Sequence, residues 1–196
     1  MAPETARSTY NAAEYLALER ASDTRSELVN GQILAMTGAS RAHNLIAANI
    51  GRELGNQLKG RPCETYQSDM RVKVSATGLY TYPDVVVVCG KPELEDEHGD
   101  TLLNPTVILE VLSPSTEAYD RGEKFAHYQR LESLREYLMV AQDKLRIEHY
   151  VRQGRQWVLT VTTALDAIIE LISIDCRLAA RDVYDRIELD LAGSAP

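Results

Sequence analysis

The chain has 196 residues and a formal net charge of −8, with 44% hydrophobic and 26% charged residues. That is the size and balance of one globular domain able to bury a full core. The acidity excludes a broadly basic surface for indiscriminate coating of nucleic acid. Ten Tyr, one Trp and one Phe offer little material for a stacking platform along single strands.

In chain order, Met1 to Thr9 reads as a loose tail without an apolar signal core, and 11–20 as a short amphipathic helix. Residues 25–29 and 32–36 flank Asn30-Gly31, a strong hairpin signal because both turn residues tolerate positive φ. Residues 40–59 carry Leu45, Ile46, Ile50, Leu54 and Leu58 on one side of a long helix that Gly60 ends. Met70, Val72 and Val74 alternate with Arg71 and Lys73, which predicts a half-buried strand. Val85 to Val88 is a continuous β-branched run, the pattern of a central strand covered on both faces. Pro92 to Asp100 follows as an acidic loop exposed to solvent, and 106–112 as a second fully buried strand.

Residues 120–131 read as a helix with Asp120 as N-cap and Glu123 completing a capping box. Beyond it lie a strand at 136–141, a hairpin of 145–151 and 156–162 around Gly154, a strand at 168–172 and a short helix at 179–185. Ala192 to Pro196 reads as a second loose tail. The expected fold is α/β, a mixed central β-sheet flanked by helices in a single domain over residues 10–190. Cys63, Cys89 and Cys176 are an odd number without a CxxC pair, the pattern of reduced core thiols. No apolar run approaches a membrane span, so no membrane partner is expected and the expected setting is the cytoplasm.

Glu110 is the residue that most needs an explanation. It stands in the middle of a buried strand, where an unpaired carboxylate costs several kcal/mol. A cation, a set of donors or a raised pKa must compensate it. Asp84 stands at the mouth of the 85–88 strand, after Pro83, which is harmless at a strand start. If the two strands are neighbours, both carboxylates meet at one edge of the sheet, an oxygen donor set suited to Mg²⁺ or Mn²⁺.

The text Tyr82-Pro83-Asp84-Val85-Val86-Val87-Val88, then Ile108-Leu109-Glu110-Val111-Leu112-Ser113-Pro114-Ser115-Thr116, then Asp120, Lys124, Tyr128 and Arg135-Glu136-Tyr137 resembles a known family. It is similar to the "putative restriction endonuclease" family of the PD-(D/E)xK nuclease superfamily, across nearly the whole domain. The resemblance implies the restriction-endonuclease-like fold and metal-dependent hydrolysis of DNA phosphodiesters. It implies a Mg²⁺ or Mn²⁺ ion on Asp84, Glu110 and the Val111 carbonyl. Lys124 would orient water or stabilise the developing charge, with Tyr128 one turn further along to position it. Glu27 and His43 match the family pattern as assisting groups.

The superfamily lysine two residues after the glutamate is Leu112 here, and Lys124 on the following helix takes its place. Cutting both strands of a duplex with one site per chain implies a homodimer. Arg71, Lys73, Arg121 and Lys124 are the candidates for a local basic groove. The alternative reading, supported by Leu112, is a catalytically inactive nuclease-fold module that binds nucleic acid or a protein partner. A phosphoesterase acting on small or RNA substrates is a third.

Overall fold

The computed structural model describes residues 9–189. The two expected tails, apart from Thr9, lie outside them.

Helix α1 (Ala12–Arg20) starts at a capping box, in which Asn11 and Glu14 bond each other's backbone N–H. Tyr15 and Leu16 pack it onto Leu28 and Tyr80. Strands β1 (Ser26–Val29) and β2 (Gln32–Ala35) form the expected hairpin, with Asn30 at φ 51° and Gly31 at φ 81°. Both values lie in the left-handed region that this two-residue turn demands. Helix α2 (Arg41–Leu58) begins at Ser40, whose side chain accepts the His43 N–H at 3.1 Å.

Strands β3 (Cys63–Gln67), β4 (Arg71–Val74), β5 (Leu79–Thr81), β6 (Val85–Cys89), β7 (Thr101–Leu102) and β8 (Val107–Leu112) follow. A helical stretch over 117–128 then crosses back. It consists of α3 (Glu117–Tyr119), a π turn (Asp120–Lys124) and α4 (Phe125–Tyr128). The chain closes with β9 (Glu136–Ala141), β10 (Ile147–Gln153), β11 (Gln156–Thr162), β12 (Ile168–Leu171), β13 (Cys176–Ala179) and α5 (Ala180–Val183).

The central sheet has six strands in the order β11-β10-β9-β8-β6-β3. Within this sheet, among the described residues, only β8 and β9 pair in parallel, and the 117–128 crossover makes that pairing possible. Side chains alternate cleanly between two cores. Val85, Val87, Leu109 and Val111 face Ile46, Ile50 and Leu54 of α2. Val86, Val88, Ile108 and Leu112 face Phe125, Tyr128 and Tyr137. Val85 to Val88 are fully buried, as the sequence pattern requires of a strand covered on both faces. A second sheet, β2-β1-β5-β4-β7, flanks this one, and β12 pairs with β13. Among the described residues no helix is long and apolar enough to cross a membrane.

Four expectations are corrected. Asp120 does not cap a helix: the helical stretch begins before it and Asp120 is buried in the π turn. Cys63 and Cys89 are not reduced thiols, because the antiparallel β3–β6 register sets them opposite each other and they form a disulfide. Cys176 alone is free and buried. The 92–100 loop is not simply solvated: Glu95 binds Lys73, and Asp96 and Asp100 bind Arg20. The strand expected at 168–172 ends one residue early, at Leu171, and gives way to a 3₁₀ turn (Ile172–Ile174).

Candidate active site

The antiparallel β6–β8 register pairs Val85 with Leu109, so Asp84 and Glu110 meet at one end of the central sheet. The Val111 N–H donates to Asp84 Oδ2 at 2.7 Å. His43, from the first turn of α2, places Nε2 3.2 Å from the same oxygen. Glu110 shares its strand face with Ile108 and Leu112 and is 4% exposed. It accepts the Tyr128 hydroxyl at 2.7 Å on Oε1, and the Lys124 ammonium lies 3.0 Å from the same atom.

Lys124 is aimed by its neighbours. Phe125 stacks on Tyr137 at 5.0 Å and Tyr128 meets Tyr137 edge-on at 5.3 Å, which fixes the helix against the sheet. The π turn just before them brings Asp120 and Lys124 together on the buried side, and such turns recur at functional sites. Lys124 Nζ also lies 3.3 Å from Glu27 Oε1 and 3.6 Å from Asp120 Oδ1. Glu27 arrives from β1 and is held by the Thr81 hydroxyl. One ammonium thus faces three carboxylates, with a fourth, Asp84, nearby.

This charge imbalance governs the site. Burial, together with the charges of Asp84 and Asp120, pushes the Glu110 carboxyl up to about 8 against the pull of Lys124. Burial raises Asp120 as well. Burial works against a charged Lys124, yet Glu110, Tyr128, Glu27 and Asp120 hold its pKa well above the ordinary value. His43 is likewise opposed by burial, but Asp84 and a backbone hydrogen bond with Val111 raise it.

Glu27, His43, Asp84, Glu110, Val111, Asp120 and Lys124 all line one cavity of about 940 Å³. Tyr128 grips Glu110 from behind that wall, fully buried. The structure therefore brings every expected site residue to one place. Asp120 is the addition that the capping interpretation concealed. Its signal was present: Asp120, Lys124 and Tyr128 follow one another at intervals of four, one side of a helix. Leu112, at the superfamily lysine position, is packed in the apolar core.

The basic groove is not formed. Arg71 binds Asp100 at 2.9 Å, and Lys73 binds Glu95 at 2.5 Å. Arg121 binds Glu117 at 2.8 Å and Glu148 at 3.1 Å. Each of these cations, like Lys124, is committed to carboxylates of its own chain.

The donor chemistry fits a hard divalent cation. Asp84 and Glu110 offer oxygens only, and local negative charge exceeds what Lys124 balances. In both carboxylates the contacts fall on one oxygen, Oδ2 of Asp84 and Oε1 of Glu110. The second oxygen of each takes no part in these contacts. Two carboxylates and a backbone carbonyl fall short of a cage built from side chains, and among the described residues no group of three or more His, Cys, Asp or Glu is placed as one.

Residues 12–179 match the model of the Uma2 family, described as "Putative restriction endonuclease". The chain belongs to this family. It is 39% identical over 160 residues to the uncharacterized protein sll1609 of Synechocystis sp., covering 81% of this chain and 90% of that one. It is 36% identical over 172 residues to the uncharacterized protein slr1290 of the same organism, covering 87% and 89%. Its fold is that of a crystal structure described as a "putative nuclease belonging to DUF820" from Anabaena variabilis. The TM-score is 0.73 at 19% identity, over 88% of this chain and 96% of that one. The restriction-endonuclease-like fold expected from the sequence is the one observed.

Proposed function

We propose that this member of the family is a divalent-metal-dependent endonuclease that hydrolyses DNA phosphodiester bonds. The observation that carries the reading is the convergence of Asp84, Glu110 and Lys124 on one cavity wall, with one oxygen of each carboxylate outside the contacts that hold the other. Those two oxygens, with the Val111 carbonyl, would hold Mg²⁺ or Mn²⁺. When bound, such an ion polarises a phosphate and lowers the pKa of water.

The remaining roles belong to the chain. Lys124 places a fixed positive charge where negative charge develops on phosphorus, inside a wall that excludes water and so strengthens it. Glu27 and Asp120 keep that ammonium charged and in place. Tyr128 fixes the rotamer of Glu110. His43 steadies Asp84 through its Oδ2 and is placed to exchange a proton with a group in the cavity. Cleavage of both strands of a duplex would require a homodimer.

The test is nicking of supercoiled plasmid by the purified protein in Mg²⁺ and in Mn²⁺, beside Asp84→Ala and Glu110→Ala. Metal-dependent nicking that both substitutions abolish supports the reading. Equal nicking by all three proteins defeats it.

One observation favours a second reading, a nuclease fold that binds without cutting: Lys124 already compensates Glu110 directly at 3.0 Å. In that case calorimetry detects no saturable Mn²⁺ binding that depends on Asp84 and Glu110.

A further inference from the structure

The cavity also bears on which form of DNA it accepts. A duplex is held mainly through phosphates neutralised by Lys and Arg. Here the lining carries four carboxylates, Glu27, Asp84, Glu110 and Asp120, against one lysine. That lysine touches three of them. Arg71, Lys73 and Arg121 are tied to Asp100, Glu95 and Glu148. Nothing in this wall answers the doubled phosphate rails of a duplex.

The rest of the lining is of another kind. Leu34 and Met36, on β2 and just after it, stand at the cavity 45% and 39% exposed. Ser40, Asn44, Gln67 and Gln142 add neutral hydroxyl and amide groups, each with one side engaged in the chain (Ser40 with Gln142, the Asn44 amide N–H with the Ala39 and Ser40 carbonyls, the Gln67 amide N–H with the Ala47 carbonyl) and the other amide atom of Asn44, Gln67 and Gln142 left for a ligand. Apolar side chains beside uncharged donors and acceptors suit the faces and edges of bases. Those surfaces are stacked and paired inside a duplex and exposed only where a strand is unpaired. A volume of about 940 Å³ belongs with cavities that enclose a small molecule, up to about 1,000 Å³. It holds one or a few nucleotides, not a length of double helix.

We propose that the substrate segment entering this site is unpaired DNA, a single-stranded end, flap or gap, with bases seated between the Leu34–Met36 rim and the Ser40–Gln142 wall. This rests on the nuclease reading for its chemistry, but its binding test does not.

Three labelled substrates of one sequence decide it: a single strand, a blunt duplex, and a duplex with a single-stranded flap. Binding to the full chain is read by fluorescence anisotropy in EDTA, and cleavage in Mn²⁺. The expectation is at least about tenfold tighter binding of the single strand and the flap than of the blunt duplex. Leu34→Ser with Met36→Ser, which adds no charge, should remove that preference while leaving Mn²⁺ affinity unchanged. Cleavage should fall in or beside the unpaired segment, at least about tenfold faster than in the blunt duplex. A blunt duplex bound or cut as well as the flap overturns the inference. If nothing is cut in either metal, the nuclease reading fails, and the anisotropy result still decides whether the cavity prefers unpaired DNA.

Discussion

Two regions of this molecule gather acidic side chains around cations, with opposite results. On the five-stranded sheet, the 92–100 loop sets Glu95, Asp96 and Asp100 against Lys73, Arg20 and Arg71. Three carboxylates meet three cations, and the Arg20 guanidinium holds the Asp100 carboxyl well below the usual carboxylate range despite some burial. In the cavity, Lys124 alone faces Glu27, Glu110 and Asp120, with Asp84 beside them, and Glu110 is pushed up to about 8. The first region is balanced and has no need of another charge. The second is short of positive charge where a void opens beside it. Perturbed carboxyls cluster at functional sites for this reason. The difference separates a clamp that holds the loop on the sheet from a cavity whose carboxylates outnumber its cations.

The largest effects should divide along that line. Asp84→Ala and Glu110→Ala are expected to lower metal-dependent turnover by more than about 1,000-fold, with unchanged far-UV circular dichroism. Arg71→Met should leave turnover per folded molecule within about twofold. Its cost is in stability, about 3 kcal/mol, because it strips a buried guanidinium that is 2% exposed from Asp100 and from the Tyr82 hydroxyl at 2.7 Å. Urea unfolding measures that cost, as a lower midpoint at unchanged slope. Turnover lost in Arg71→Met without unfolding would erase the distinction between the two regions.

The pH dependence should also carry opposite signs. Asp100 is depressed by Arg20, and Glu148 is depressed because Arg121 and Arg146 outweigh its burial. Their stabilisation is complete above the unfolded values of 3.8 and 4.5 and is lost as pH falls through the still lower folded values. Glu110 does the reverse. Between its unfolded value of 4.5 and about 8, the folded protein keeps a proton that the unfolded chain has released. Stability in EDTA should therefore fall as pH rises across that window and level off above it. Glu110→Gln should flatten this slope and leave the acid limb untouched, as urea midpoints at pH 4, 6 and 8.5 would show.

The same contrast explains what could be read from the sequence. Asp84 and Glu110 were legible because a carboxylate within or against a β-branched run violates the apolar pattern. The Asn30-Gly31 hairpin, α2 and the two buried strands carry their signals in local periodicity. Strand β3, Cys-Glu-Thr-Tyr-Gln, shows no apolar alternation because it is an edge strand, exposed or half-buried along its length. The Cys63–Cys89 disulfide depends on that unseen strand and its register. Asp120 was misread because a cap and a π turn leave the same local text, and only the sheet beneath decides between them. The loop carboxylates seemed solvated because Arg20 and Arg71 reach Asp100 from distant parts of the chain.

The smallest expected effect tests how the unbalanced region is kept in shape. The Tyr128 hydroxyl donates to the same Glu110 oxygen that faces Lys124, so Tyr128→Phe removes one donor and no charge. The ring keeps its place against Tyr137, so the fold should be stable to within about 1 kcal/mol. Glu110, free to turn about its side chain, should present its second oxygen less often. Mn²⁺ affinity is then expected to fall about tenfold, while turnover at saturating metal changes little, as removal of an outer hydrogen-bond partner does at a metal site. If turnover at saturating metal fell instead and affinity held, Tyr128 would act on the reacting groups themselves. A loss of both would mean that Glu110, already held protonated by burial, needs the hydroxyl in order to give up its proton to a metal, so that this one hydrogen bond would govern both binding and chemistry.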